Sequence, residues 1–357
     1  MDALTLSRLG VKHAKNAVAE SLRINTGYDI TSPVTFYGII NERCNAKCRQ
    51  CEYWRLKEYK DEMTIEEWQN ALLSIKEFVG EFSINFSGGE PYVKKGFLDL
   101  LAFANKNGIH AGVTTNGYCM TRENAAQTVA ARPFNVNMSV DGHNAELHDY
   151  LRGKPGLFDR LSKGIGYLRE EQEKQGVLFP INVKPAINRL NFRHLEEIVT
   201  WAKEIGATTV SFQPVNRWTP ETYEELWIEE ADREEFAQVI ERLIEMKKNG
   251  APIMNSDEVL RLMVPHFREE KAPDAVRPCR IGLRNYWIDT RGDVKLCDEY
   301  PVIGNVKEQS ARAIWYGEKA QKIRRDTLNC GKLCLITCVS QKTIFDKVKM
   351  GMKLLHN

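Results

Sequence analysis

The sequence predicts an α/β protein, a partial (β/α)6 barrel of the TIM type followed by a small cysteine-rich C-terminal domain. Strand-like and helix-like segments alternate between residues 34 and 214, which is typical of a parallel sheet covered by helices. The strands alternate apolar and polar residues with period two. Most of the nine cysteines fall into two groups, one directly after the first predicted strand and the other in the last quarter of the chain.

The composition is ordinary for a globular protein of 357 residues, with 43% hydrophobic and 27% charged residues. The net charge is only +2, which gives no reason to expect nucleic acid as a partner. No apolar stretch is long enough to span a bilayer and the charged N-terminus is unlike a signal peptide, so we expect a cytoplasmic protein. In a reducing compartment, clustered cysteines indicate metal binding or catalysis more often than disulfides.

The elements of the barrel are predicted in order from these periods. Apolar residues in the segment 64–79 are spaced three and four apart, which predicts a helix, and Thr64 with Glu67 forms a capping box at its start. The strands are predicted at 34–40, 82–86, 109–115, 134–140, 179–187 and 208–213. The remaining helices are predicted at 96–106, 122–131, 157–174 and 193–205.

Strand alternation also predicts a polar interior. Ile84 and Phe86 alternate with Ser83 and Asn85, and the strand at 134–140 has the same pattern. If the apolar face meets the outer helices, the polar face lines the lumen, and we expect a cavity that holds a polar ligand. The alternative is an antiparallel sheet with one face in water, which the intervening helices disfavour.

The remaining segments complete the predicted domain organisation. We expect an N-terminal helical segment at 1–33, the barrel at 34–215, a helical linker region at 216–278, the cysteine-rich domain at 279–340 and an amphipathic C-terminal helix at 341–357. The last helix mixes lysines with one apolar face, a pattern that can contact an anionic membrane or a partner. Packing on its own domain is the more common role of such a helix, and we expect it here.

Cys44, Cys48 and Cys51 form a C-x3-C-x2-C motif after the first predicted strand. Thiolates are soft ligands suited to zinc or to iron–sulfur clusters. Structural zinc takes four protein ligands, and no fourth Cys or His lies nearby in the sequence. Three cysteines on one loop therefore favour a four-iron cluster with one iron open to an external ligand.

The segment 34–215 resembles the radical S-adenosylmethionine (SAM) enzymes. The resemblance rests on the three cysteines together with four further motifs in the expected order, GGEP (88–91), TTNG (114–117), SVDG (139–142) and HDYLRG (148–153). It implies that Cys44, Cys48 and Cys51 hold a SAM-binding 4Fe-4S cluster. Reductive cleavage of SAM would then give a 5′-deoxyadenosyl radical that abstracts hydrogen from a substrate. A flavodoxin- or ferredoxin-type protein is the implied reductant.

The same resemblance implies which residues hold SAM. Gly88 and Gly89 would let the backbone approach the ligand closely. Glu90 would hold the methionine amino group, Arg152 the carboxylate and Ser139 the ribose. The first two contacts join opposite charges, and such charge-assisted contacts are the strong ones. The loop containing Asn116 would complete the SAM-binding residues.

Gln50 departs from the family pattern, in which the residue before the third cysteine is usually aromatic. Tyr53 or Trp54 would then supply the packing against adenine, or the nucleotide contact differs.

The second cysteine group begins at Cys279 and continues through Gly292-x4-Cys297. With the later Gly-Asn-Val and Ile-Trp pairs it resembles the auxiliary-cluster extension called SPASM, or its shorter form, twitch. Five cysteines cannot fill the eight ligand positions of two clusters, so we expect one auxiliary 4Fe-4S cluster. Cys279 and Cys297 are expected ligands, with two of the last three cysteines, Cys330, Cys334 and Cys338. A zinc knuckle is the alternative.

The resemblance implies an oxidoreductase-like enzyme, and we expect a small organic substrate such as a sugar or cyclitol, changed by dehydrogenation or epimerisation. The alternative is modification of a ribosomal peptide or a protein, which the short N-terminal segment disfavours because it leaves no room for a separate peptide-capture domain. An electron-transfer protein is a third class, but a carrier needs no SAM pocket. Cys119, after the third predicted strand, is a candidate hydrogen donor, although a free cysteine is usually a small buried apolar residue.

Overall fold

The computed structural model describes residues 3–56, 60–274 and 277–335, and it confirms the predicted α/β fold with a parallel sheet. Neighbouring strands of the barrel pair in parallel and in sequence order, with helices between them. The strands are β1 (Thr35–Asn41), β2 (Ser83–Gly88), β3 (His110–Thr115), β4 (Val136–Met138), β5 (Ile181–Val183), β6 (Ala186–Ile187), β7 (Thr209–Val210) and β8 (Gln213–Pro214).

The fifth and sixth predicted strands are each divided in two. Pro185 separates β5 from β6, because proline has no N–H to donate to the ladder. β5 and β7 stay in the main sheet, whereas β6 and β8 pair with each other in a separate two-stranded parallel sheet.

The cysteine-rich segment extends the barrel sheet on the other side of β1. Its strands are β9 (Asn285–Ile288), β10 (Asp293–Lys295) and β11 (Gly304–Asn305). β9 pairs in parallel with β1, and β10 and β11 follow in antiparallel pairing. The main sheet therefore has nine strands, with β11 and β7 at its two ends. Through this sheet the two cysteine groups belong to one continuous framework.

The described helices cover the sheet. They are α1 (Ala3–Thr26), α2 (Ile65–Val79), α3 (Phe97–Lys106), α4 (Arg122–Ala130), α5 (Ala145–Arg152), α6 (Leu157–Gln175), α7 (Leu195–Glu204), α8 (Pro220–Glu224), α9 (Arg233–Lys248), α10 (Asp257–Phe267), α11 (Ala311–Tyr316) and α12 (Glu318–Leu328). The predicted capping box opens α2, since the Thr64 hydroxyl accepts from the Glu67 N–H at 3.1 Å and the Glu67 carboxylate from the Thr64 N–H at 2.7 Å. Trp68 on its buried face packs edge-on against Phe86 of β2.

The polar faces of five neighbouring strands carry a row of hydrogen-bonded side chains, which we call the amide ladder. Asn85 donates to the Thr114 hydroxyl at 2.9 Å, and Asn137 donates to the Asn85 carbonyl at 2.9 Å. Asn182 continues the row to Asn137 at 3.0 Å, and Thr209 donates to Asn182 at 2.8 Å. The predicted polar interior is therefore present, and at this level its side chains satisfy one another. The polar ligand expected there stays a prediction.

Two predictions at the C-terminal end lie outside the described residues, namely the role of Cys338 and the amphipathic helix at 341–357. Within the described part, no helix combines the length and the apolar character that crossing a membrane requires.

Candidate active site

The first cysteine group lies on the loop that follows β1. Burial raises the pKa of the Cys44 thiol to about 12 and that of Cys51 to about 11, while backbone N–H groups point at both sulfurs. The Asn116 amide lies 3.9 Å from the Cys44 sulfur, and the Arg152 guanidinium 3.8 Å from that of Cys48. These groups donate hydrogen bonds and do not ligate metal, so they favour thiolates without adding a fourth ligand. The donor set fits a 4Fe-4S cluster held by three cysteines.

Gly88 and Gly89 allow the backbone at the end of β2 to lie directly against the start of this loop. A Cβ at Gly89 would lie 2.1 Å from the Arg43 carbonyl oxygen, and one at Gly88 would lie 2.4 Å from the Asn41 carbonyl oxygen. The Gly89 N–H donates to Asn41, and the Glu90 N–H to Arg43, both at 2.8 Å. The glycines were expected to admit a ligand; what they contact here is the chain that leads into Cys44.

Glu90 is fully buried where β2 and β3 end. Its carboxylate accepts hydrogen bonds from the Thr115 hydroxyl at 2.7 Å, the Asn116 N–H at 2.8 Å and the Tyr92 N–H at 3.2 Å. Burial outweighs these bonds and raises the pKa of Glu90 to about 7. Burial destabilises the ionised form of Glu90 when it has no counter-charge, so an ammonium group placed beside this carboxylate would stabilise it.

Arg152 forms a buried ion pair with Asp141, with 2.7 Å between Arg152 Nε and the carboxylate. Burial opposes the charge of Arg152, but Asp141 and Cys48 outweigh it and raise the pKa of the guanidinium. Gln50 donates to the same carboxylate at 2.7 Å, while its own side-chain oxygen is buried without a described partner. Arg152, predicted to hold the SAM carboxylate, thus also ties α5 to the cysteine loop.

Cys119 lies beside the cysteine loop. Asn116 donates to the Asn45 side-chain oxygen at 2.7 Å, and Asn45 donates to the Cys119 sulfur at 3.2 Å. Burial and the nearby Glu90 raise the pKa of the half-buried Cys119 thiol. The structure thus brings Cys119 together with the predicted SAM-binding residues, and its role as a hydrogen donor stays a prediction.

Ser139 and Tyr53 approach the same region from different elements. Ser139 follows β4, and its N–H donates to the Thr115 carbonyl at 2.9 Å. Tyr53 lies just after Cys51, and burial, the Cys51 thiol and the carboxylate of Asp298 beyond β10 all raise its phenol pKa. Tyr53 therefore lies between the first cysteine group and the cysteine-rich segment.

The second cysteine group also converges. Burial and the nearby thiols of Cys297, Cys330 and Cys279 together raise the pKa of the Cys334 thiol to about 12. These four come from separate segments around β9, β10 and the end of α12. Four thiols in one neighbourhood fit a fully ligated iron–sulfur cluster. Cys338 lies beyond the described residues.

Sequence reasoning missed the importance of Asp141, Thr115 and Asn45. Each lies inside a motif that had been recognised, but another residue of that motif was singled out. Their signal was a polar side chain directly after a buried strand or within the cysteine loop, where it meets the predicted site. Asp141 is fully buried, and a buried carboxylate needs a charged partner, which the sequence offered in Arg152.

Comparisons with known proteins agree with this geometry. Residues 39–202 match the Radical SAM superfamily, and residues 279–339 match an iron–sulfur cluster-binding domain, SPASM. The chain belongs to the radical SAM superfamily and carries a SPASM domain. It is a radical SAM enzyme whose cofactors are SAM and a 4Fe-4S cluster, with additional iron–sulfur clusters in the SPASM domain.

Several curated proteins are similar over most of the chain. An AdoMet-dependent heme synthase of Oleidesulfovibrio alaskensis is 27% identical, over 77% of this chain and 72% of its own length. The mycofactocin maturase MftC of Mycobacterium tuberculosis is 23% identical, over 85% and 75%. The PqqA peptide cyclase of Rhizobium meliloti is 23% identical, over 88% and 82%.

Solved structures share the fold. Streptococcus suis SuiB, bound to S-adenosylmethionine, aligns with a TM-score of 0.65 and 18% identity over 84% of this chain and 71% of its own. The enzyme anSMEcpe, with bound AdoMet and the Kp18Cys peptide, aligns with a TM-score of 0.64 and 19% identity over 84% of each chain. At this identity the likeness establishes the fold only.

Proposed function

We propose that this radical SAM enzyme modifies a peptide or protein by taking a hydrogen atom from one of its residues. The observation that carries the proposal is its similarity to the PqqA peptide cyclase and the mycofactocin maturase over 85% or more of the chain, across both the barrel and the SPASM domain. This similarity supports the alternative weighed from the sequence over the sugar or cyclitol that was expected first.

The residues of this chain position the cofactors. We infer that Cys44, Cys48 and Cys51 hold the first cluster, and that Glu90 and Asn116 meet the methionine end of SAM. When bound, the first cluster and SAM supply a 5′-deoxyadenosyl radical that takes hydrogen from the substrate, and the SPASM domain supplies an electron acceptor. The chain fixes the geometry of this step through the hydrogen bonds that join Glu90 and Asn116 to the cysteine loop.

The four converging thiols support one fully ligated auxiliary cluster. Cys279, Cys297, Cys330 and Cys334 suffice for a cubane, so Cys338 would be the spare cysteine. A cluster without an open iron does not bind substrate directly. It suits a net two-electron oxidation, in which the substrate loses a hydrogen atom to the radical, a proton to a base or to solvent, and one electron to the acceptor in the SPASM domain.

A small organic substrate is the second candidate. The heme synthase of Oleidesulfovibrio alaskensis is the specific reason, because it is 27% identical over 77% of this chain and its name describes no peptide substrate. The two candidates differ in where the abstracted hydrogen comes from, and that difference can be measured.

The test is an anaerobic assay with SAM, a reductant and a peptide encoded beside the gene, synthesised with deuterium at its candidate side chains. We expect deuterium in 5′-deoxyadenosine and a peptide that has lost two hydrogens. C44A should abolish both products, whereas C334A should spare 5′-deoxyadenosine and remove the modified peptide. Deuterium transfer from a labelled porphyrin or sugar, but from no peptide, would contradict the proposal.

A further inference from the structure

One face of the first cysteine loop is exposed and positively charged. Tyr118 packs there against Ala46, Cys48 and Leu157, in the same small cluster of side chains as the three cysteines. Cys48 is buried and Tyr118 is only half-buried, so the Tyr118 ring carries this cluster to the protein surface.

Two cations lie against this ring. Lys154 Nζ lies 4.4 Å and the Arg160 guanidinium 4.3 Å from the centre of the Tyr118 ring. Lys47 adjoins them, because its backbone rests on Gly153, where a Cβ would lie 2.3 Å from the Lys47 carbonyl oxygen. We define the Tyr118 surface by Lys47, Tyr118, Lys154 and Arg160.

The cations of the Tyr118 surface have no ion-pair partner among the described residues. No salt bridge joins Lys47, Lys154 or Arg160 to an acid that the structure describes. Glu146 and Asp149 line the same surface pocket as Lys154, and the Asp149 carboxylate is turned to the backbone N–H groups of 156 and 158. The exposed Asp159 and Lys163 stand one turn apart on α6 and add no net charge.

Two arginines further along the cysteine loop are paired. Arg49 bonds to Glu225 at 2.9 Å, and Arg55 to Glu221 at 2.6 Å. Lys47, Lys154 and Arg160 differ from these two arginines, because no described acid forms an ion pair with them. This is local asymmetry in a chain whose charges nearly balance overall.

We propose that the Tyr118 surface is the docking site of an acidic one-electron carrier protein that reduces the first cluster. The cluster must receive one electron before SAM can be cleaved, and electron transfer slows steeply with distance, so the entry point lies where the cluster is nearest the surface. The carrier loses the electron that the cluster gains, and no bond forms or breaks. Opposite charges steer such a partner to the site and fix its orientation.

The test measures reduction of the reconstituted, SAM-free enzyme by flavodoxin hydroquinone in stopped flow, so it needs no substrate and is independent of the proposed function. We expect the double variant K154E/R160E to be reduced at least about tenfold more slowly at low salt, a loss typical of removed electrostatic steering. The rate for the wild type should fall with added salt, and this salt dependence should weaken in the variant. Reduction by dithionite should stay within twofold.

The matched control is K15E. Lys15 is exposed on α1, which contacts the segment before β9. That segment lies at the amino ends of the parallel strands β9 and β1, whereas the cysteine loop follows the carboxyl end of β1, so K15E changes the charge but not the Tyr118 surface. It should react with flavodoxin as the wild type does. An unchanged flavodoxin rate in K154E/R160E would overturn the proposal. Equal slowing by dithionite would also overturn it, because the two cations would then act on the cluster and not on docking.

Discussion

Glu90 provides the sharpest test of the SAM site, because its proton and the ligand compete. Its pKa of about 7 means that the buried carboxyl is largely protonated at pH 6 and largely ionised at pH 7.5. If SAM binds only to the ionised form, its affinity should fall roughly eightfold from pH 7.5 to pH 6, the ratio of the two ionised fractions for one group. This window stays below the usual pKa of an α-amino group, so the ligand remains cationic.

The raised pKa of Glu90 also affects the stability of the fold. SAM affinity is expected to rise with pH, whereas the contribution of Glu90 to folding falls. A pKa raised from 4.5 to about 7 favours folding below about pH 4.5 and loses that contribution as the pH rises through 7. The ionised carboxylate therefore destabilises the ligand-free enzyme. Binding of an ammonium beside it stabilises the ionised form, so we expect Glu90 to release its proton when SAM binds at pH 6.

Titration calorimetry of the reconstituted enzyme with SAM at pH 6, 6.75 and 7.5, in buffers of different ionisation enthalpy, measures both quantities. E90Q should bind SAM about thirtyfold or more weakly, about 2 kcal/mol or more for a lost charge-assisted contact, and its remaining affinity should not vary with pH. E123Q, a change in the first turn of α4, is the control and should follow the wild type. A wild-type affinity equal at both ends of the range, or full affinity in E90Q, would refute the reasoning.

Three further predictions test the framework around the first and second clusters. D141N should destabilise the fold by about 3 kcal/mol or more in anaerobic urea unfolding, because it leaves the Arg152 guanidinium buried without its counter-charge. G89A should lower iron and sulfide per chain after reconstitution, since its methyl group would displace the start of the cysteine loop. C334A should lose the iron of one cluster, whereas C338A should keep it.

These three predictions have their own controls and contrary outcomes. Q50L removes one hydrogen bond to the Asp141 carboxylate but leaves the ion pair, and it should cost about 1.5 kcal/mol, so equal losses in D141N and Q50L would contradict the ion-pair account. Gly166 has open space around it, and G166A should keep full iron content. If C338A loses as much iron as C334A, the assignment of the spare cysteine is wrong.

The order of strands and helices could be predicted from the sequence, because apolar residues recur regularly at every second position in the strands and at every third or fourth position in the helices. The capping box at Thr64 fixed the start of α2 within one residue. The linker was harder, because a helical region was expected over 216–278, whereas α8 ends at Glu224 and α9 begins only at Arg233. Leu226, Trp227 and Ile228 are buried in succession, which a helix with one apolar face does not allow.

The motifs of the site could be predicted from the sequence, but the contacts between their side chains could not. Periodicity and motif order identify Glu90, Arg152 and the three cysteines, but no sequence rule says which acid meets which base across a fold. The Arg152–Asp141 pair and the contact of Gly89 with the cysteine loop depend on how α5 and β2 pack. The extension of the sheet by β9 was unforeseen for the same reason, since strand partners in a parallel sheet are distant in sequence.

The central claim is that Cys44, Cys48 and Cys51 hold a cluster whose remaining iron binds SAM. Electron–nuclear double resonance of the reduced enzyme with SAM labelled by oxygen-17 in its carboxylate group measures this contact directly. We predict a hyperfine coupling between the label and the cluster that disappears in C44A. A reduced, SAM-saturated enzyme that has the cluster but no such coupling would contradict the account.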